Sequence, residues 1–137
     1  MRQLMKVEKI SFGSKGFSRQ LVENLLLEDD VVTYVAEESN EIVGYGMVLN
    51  EEAGWSARVL SLAVLPEHRL RGVARELMRL MERKARIWSA KKLALEVEVT
   101  NVPALNLYLH SAFHIEGTVP DYYGKGQDAF YLEKPLT

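Results

Sequence analysis

The stretch His68-Arg69-Leu70-Arg71-Gly72-Val73-Ala74-Arg75 stands between an apolar, β-branched segment that ends at Pro66 and a long segment of helical period. A chain that turns from strand into helix leaves successive backbone N–H groups free, and with the positive end of the helix dipole they form an anion site. Gly72 lets a bulky phosphate approach the backbone, Ala74 is nearly as small, and Arg69, Arg71 and Arg75 add countercharge. The residues alone fit a solvated, Arg-rich loop as well. Neither GxxxxGK(S/T) nor GxGxxG is present, so this is neither a Walker loop nor a dinucleotide fingerprint. His68 either assists an anion or only lines the loop.

A second group is acidic. In KKLALEVEV the alternation puts Leu93, Leu95, Val97 and Val99 on one face of a strand, and Ala94, Glu96 and Glu98 on the other. Two neighbouring carboxylates tend to raise each other's proton affinity, and the plain alternative is a solvent-facing polar stripe. A third group is aromatic. Tyr108 lies in an apolar helical run, where a core ring with its hydroxyl bonded to backbone is the ordinary reading. Tyr122 and Tyr123 occupy a Gly-flanked loop, where they either meet a partner or cap the core. His110 and His114 are assigned no role.

Composition narrows what these groups can serve. The 137 residues suit one ordinary domain, spanning 1–137, and 47% hydrophobic with 26% charged residues predicts a packed core. A net charge of -2, with no aromatic residue among the arginines, argues against a nucleic-acid partner. With no cysteine, disulfides, thiolate nucleophiles and thiolate metal sites are all excluded, and no metal site is expected. No segment has the length and apolarity of a signal peptide or membrane span, so a cytoplasmic location without membrane contact is expected.

The elements that must position these residues follow from periodicity. Residues 1–12 fit a helix or an alternating strand, and the helix is preferred. SFGSKGFS is a loop, after which Ser18 caps a short helix with Leu21, Val22, Leu25 and Leu26 as its buried stripe. Strands are expected at 31–38 and 41–49, joined by a tight turn at Ser39-Asn40, and a third at 57–65. A long helix from about Val73 to Trp88 buries Val73, Leu77, Leu80, Met81 and Trp88. After the KKLALEVEV strand, a helix starts near Pro103 with Leu105, Tyr108 and Leu109 on one face. Strands at 114–119 and 128–136 close the chain. The fold class is α/β, a mixed sheet with helices on both faces.

Three motifs in order carry a resemblance to the GNAT acetyltransferase superfamily over about residues 31–137. R-x-x-G-x-A at Arg69 to Ala74 resembles the superfamily's pyrophosphate grip. Asn101 to Phe113 resembles its N-x-x-A-x-x-L-Y-x-x-x-G-F signature, with Ala112 in place of glycine. Asp121-Tyr122-Tyr123-Gly124 with Asp128-Ala129-Phe130-Tyr131-Leu132 is similar to the end of protein N-terminal acetyltransferases, including the RimI-like bacterial enzymes and their archaeal and eukaryotic relatives.

The resemblance implies a GNAT-like fold, acetyl-CoA as cofactor, and an N-acetyltransferase that works by direct transfer with a general base and a general acid. It places the backbone of Leu62, Ala63 and Val64 against the pantetheine arm, the diphosphate on Arg69, Leu70, Arg71, Gly72, Val73, Ala74 and Arg75, and Asn101 on the pantetheine. It makes Glu96 the general base and Tyr108 the general acid, with Tyr122 and Tyr123 near the acceptor peptide. The implied acceptor is the α-amine of a protein N-terminus. The alternatives are a small amine such as a polyamine, amino acid or aminoglycoside, or a non-catalytic acyl-CoA-binding module. Two departures stand out. The family's usual first strand is missing, which leaves a sheet edge that a homodimer could cover. The loop SFGSKGFS offers Ser14 where archaeal and eukaryotic relatives carry a catalytic glutamate.

Overall fold

The computed structural model describes residues 1–69 and 71–136. Helix α1 runs Arg2–Phe12, α2 Arg19–Leu26, α3 Val73–Ile87 and α4 Val102–His110. The strands are β1 Val31–Glu38, β2 Glu41–Glu52, β3 Ser56–Val64, β4 Lys92–Glu98, β5 His114–Val119 and β6 Ala129–Pro135. They form one sheet in the order β1-β2-β3-β4-β6-β5, in which only the β3–β4 pair is parallel. The start of the chain is helical, and among the described residues no strand precedes β1, which is an edge. No described helix is long and apolar enough to cross a membrane.

The two sheet faces carry separate cores, as helices on both sides require. One gathers Met78, Met81 and Ala85 of α3 and Tyr108 of α4 against Val59, Leu93, Leu95, Val97 and Leu132. The other gathers Leu4 and Val7 of α1 and Val22 of α2 against Val43, Tyr45, Met47 and Ala63. The β4 alternation is as expected, with Leu93, Leu95 and Val97 buried and Glu96 and Glu98 turned the other way.

Several helix stripes differ from the expectation. In α2 only Val22 is buried, while Leu21 and Leu26 are more than 40% exposed, because an eight-residue helix laid on the edge of the sheet covers a single row. In α3 the fully buried row is Leu77, Met78, Met81 and Ala85, with Leu80 and Trp88 at its margin. In α4 Leu109 is exposed. Ser39 and Asn40 both take positive φ, 51° and 66°, which is the two-residue turn that suits the twist of a hairpin.

The second core contains a carboxylate. Glu8 is only 2% exposed, yet the Phe17 amide donates to its Oε2 at 2.7 Å, the Tyr45 hydroxyl to Oε1, and Ser61 Oγ lies 3.3 Å from Oε1. Unpaired, such a group would be destabilising by several kcal/mol. The network ties the turn between α1 and α2 to β2 and β3. Gly16 is required there, since a Cβ would come within 2.7 Å of Glu8 Oε2.

Candidate active site

Strands β3 and β4 pair only over Ser56–Arg58 with Lys92–Ala94. Beyond that point β3 continues against β2, and β4 against β6, so the two strands part toward their carboxyl ends. A crevice at that end of parallel strands is where open α/β sheets take ligands, and it leaves backbone groups of β3 without a strand partner. Leu62, Ala63 and Val64 line it from β3. The Val64 carbonyl is already engaged, however, by Arg69 Nε at 2.8 Å. Arg69 therefore braces the turn through Nε and keeps its positive charge beside it.

The turn that follows is divided in its hydrogen bonding. The His68 and Arg69 amides are bonded inside a 3-10 turn, to Leu65 and Pro66 carbonyls. Helix α3 then starts at Gly72, with φ 81° and ψ 5°, and no side chain caps it. Its first intrahelical bond is from Glu76 N to Gly72 O, and among the described residues nothing accepts from the Val73, Ala74 and Arg75 amides. These three donors, at the positive end of a 15-residue helix, face outward beside exposed Arg71 and Arg75. Gly72 is needed for its left-handed φ, while the space around it is open. Leu70 lies outside the described residues. His68 Nδ1 is 2.5 Å from Glu38 Oε2, off the line a hydrogen bond needs, and Arg71 lies 4.0 Å from the same oxygen.

Glu96 and Glu98 share a face of β4, and each meets a basic side chain from another element. Glu96 is bonded by Arg58 of β3, whose Nε also holds Glu51 at 2.6 Å. Burial works to lower the Arg58 pKa, and the bonds to Glu51 and Glu96 outweigh it and raise it. Glu98 is held by Lys15 at 2.8 and 3.1 Å and by Thr100 at 3.0 Å. The Lys15 bond lowers the Glu98 carboxyl below its ordinary value. Glu98 thus has Lys15 as its partner, while Glu96 shares Arg58 with Glu51.

Tyr122 and Tyr123 form an edge-to-face pair with centroids 4.9 Å apart. Their hydroxyls lie 3.5 Å from Glu96 Oε1 and from the Glu96 carbonyl, at the outer limit of hydrogen bonding. Tyr122 is half exposed, so the two rings do not simply cap the core. Their loop is held by Asp121, whose Oδ1 accepts from Gly126 N at 2.7 Å. Burial, with Tyr122, Tyr108 and Glu96 nearby, pushes the Tyr123 hydroxyl up, which gathers these groups in one place.

Tyr108 is buried on α4, edge-on to Phe113 at 5.8 Å. Its hydroxyl bonds no described residue, and burial pushes its pKa up. Asn101 caps α4, with Oδ1 accepting from Ala104 N at 3.3 Å, so only its Nδ2 is left to reach a ligand. Sequence reasoning missed Arg58 and Lys15. A lone charge inside the apolar run ARVLSLAVL could have pointed to Arg58, whereas nothing local marks Lys15. Also missed were Tyr131, under the Arg58 guanidinium at 5.8 Å, and Glu133, which Lys92 holds at 2.6 Å.

Uncapped amides thus follow the carboxyl end of β3, and on β4 the Glu96 carboxylate stands with the phenols of Tyr122 and Tyr123 near it. A sequence profile described as Acetyltransferase (GNAT) family matches residues 1–113. An N-alpha-acetyltransferase of Sulfurisphaera tokodaii is 31% identical, covering 98% of this chain and 86% of the relative. An aminoglycoside 6'-N-acetyltransferase solved with coenzyme A superposes with a TM-score of 0.85 at 12% identity, covering 99% of this chain and 90% of that one. The ribosomal-protein-S18-alanine N-acetyltransferase of Escherichia coli superposes with a TM-score of 0.83 at 17% identity, over 96% and 84%.

Proposed function

The chain belongs to the acetyltransferase (GNAT) family and is an acetyl-CoA-dependent N-acetyltransferase, and from that premise we propose that its acceptor is the α-amine of a protein N-terminus. The observation that carries the acceptor choice is the state of the carboxylates beside the crevice. Glu98 is paired with Lys15, and Glu96 shares Arg58 with Glu51, so a polycationic small molecule finds no two free carboxylates side by side on β4. Two tyrosines flank Glu96 instead, which suits an amine carried on a peptide. The name of the Sulfurisphaera relative points to the same acceptor class.

In this reading the diphosphate rests on the Gly72, Val73, Ala74 and Arg75 amides, with Arg71 and Arg75 as countercharge and Arg69 bracing the turn. Leu62, Ala63 and Val64 offer backbone to the pantetheine arm, and Asn101 offers Nδ2. Bound acetyl-CoA supplies the thioester carbonyl that the amine attacks. Glu96 receives the amine, orienting it through Oε1, and takes the proton it releases as the C–N bond forms. Tyr108 donates its hydroxyl proton to sulfur as the C–S bond breaks. The demand on the base is modest, because an α-amine titrates near 8 and roughly a tenth is neutral at pH 7. A lysine side chain, at about 10.4, would ask far more.

Acetyl-CoA turnover against N-terminal peptides, spermidine, free amino acids and an aminoglycoside tests the reading. Peptides should give the highest kcat/KM. A polyamine or aminoglycoside that outpaces every peptide would reverse the assignment.

A further inference from the structure

We propose that Lys15 is a specificity-determining residue that screens polycationic amines out of the acceptor site by occupying Glu98. The proposal rests on the reading that Glu96 receives the acceptor amine. Glu96 and Glu98 are two residues apart on one face of β4, hence about 7 Å apart along the strand. That separation is comparable to the distance between successive amines of a polyamine. Left to themselves the pair would be a two-point dock for such a molecule. Lys15 prevents it: its Nζ reaches both oxygens of Glu98, at 2.8 and 3.1 Å, from a turn 83 residues away in sequence.

The geometry of the bridge favours screening over incidental contact. Lys15 keeps 37% of its side-chain exposure and Glu98 only 18%, so the cation lies on the solvent side. Glu98 Oε1 also accepts from Thr100, so that oxygen is fully used, Oε2 is already held by Lys15, and the ammonium keeps a free donor. An approaching cation therefore meets Lys15 first and is repelled. The turn that carries Lys15 is held in place by the bond from Phe17 N to buried Glu8, and a Cβ at Gly16 would come within 2.7 Å of the same carboxylate. Much of the ordering that a long exposed ion pair requires is thus already supplied by the second core. On the neighbouring carboxylate, Arg58 fills Oε2 of Glu96 and leaves Oε1 to a single ammonium.

The test measures spermidine binding to the coenzyme A-loaded full chain by calorimetry, which needs no turnover. Lys15→Met should bind spermidine roughly tenfold more tightly than wild type, from one added ammonium–carboxylate contact and one repulsion removed. Adding Glu98→Gln to that variant should return the affinity to the wild-type level, and Lys15→Arg should keep it there. Coenzyme A affinity should be the same in all four proteins. Unchanged or weaker spermidine binding in Lys15→Met, or a gain that survives Glu98→Gln, overturns the proposal. Peptide acetylation by wild type is read separately. An inert wild type whose Lys15→Met variant still gains spermidine would sink the acceptor assignment and leave the screen standing.

Discussion

At the scale of single residues, Tyr108 and Glu98 show how burial and pairing set proton chemistry. Tyr108 is a phenol whose pKa burial raises, so it is a weaker acid than a free thiol. It can support a leaving sulfur only as negative charge develops there, through a hydrogen bond that strengthens while the C–S bond breaks. Tyr108→Phe should lower kcat about 100-fold and leave coenzyme A affinity unchanged, as steady-state kinetics with calorimetry would show. The same elevation keeps the proton on Tyr108 beyond the ordinary phenol range, so wild-type kcat should show no Tyr108-linked fall up to about pH 10. Glu98 is the opposite case. Its folded value is depressed, mainly by the Lys15 bond, so its stabilisation is present above the unfolded value and is lost as pH falls through the folded one. Lys15→Met should be less stable than wild type at pH 7 by about 0.5 kcal/mol after solvent screening, and equal to it once the carboxyls are protonated, by urea titration at each pH.

At the scale of elements, the start of α3 is where backbone geometry becomes a binding surface. Gly72 combines a left-handed φ with open space, and the amides that follow it are uncapped. Wild type with cofactor at 100 times Kd should gain about 2.7 kcal/mol of stability, seen as a Tm several degrees higher. Gly72→Asp should remove that gain, because it sets a side chain and a negative charge over the same donors. A Tm rise that persists in this variant would place the diphosphate elsewhere. The start of α4 carries a second, quieter role. Asn101 is proposed to meet the cofactor arm through Nδ2, and its oxygen caps the helix. Asn101→Ala should therefore lower stability by about 1 kcal/mol without any cofactor present, as thermal unfolding would measure. The residues Asn101-Val102-Pro103 announce a helix start in any fold, so the cap was legible locally, and the competing use of the side chain was not.

At the scale of the whole molecule, one end of the sheet is β1, with Asp29 and Asp30 just before it and Glu37 and Glu38 as its last residues. An antiparallel pairing of two such edges would bring acid against acid, so charge opposes the dimer that could cover it. Sedimentation should find weaker self-association at low ionic strength than at high.

The strands, the helix after Gly72 and the alternation of Glu96 against Leu95 and Val97 were determined by sequence alone, because each depends on neighbours within a turn or two of the chain. Which cation meets which carboxylate was decided only in three dimensions. Lys15 and Glu98 are 83 residues apart and Arg58 and Glu96 are 38 apart, and no local period records which side chains two packed elements bring face to face. The parting of β3 from β4 belongs with these, since a strand's own residues specify its pleat and not the point where its neighbour leaves it.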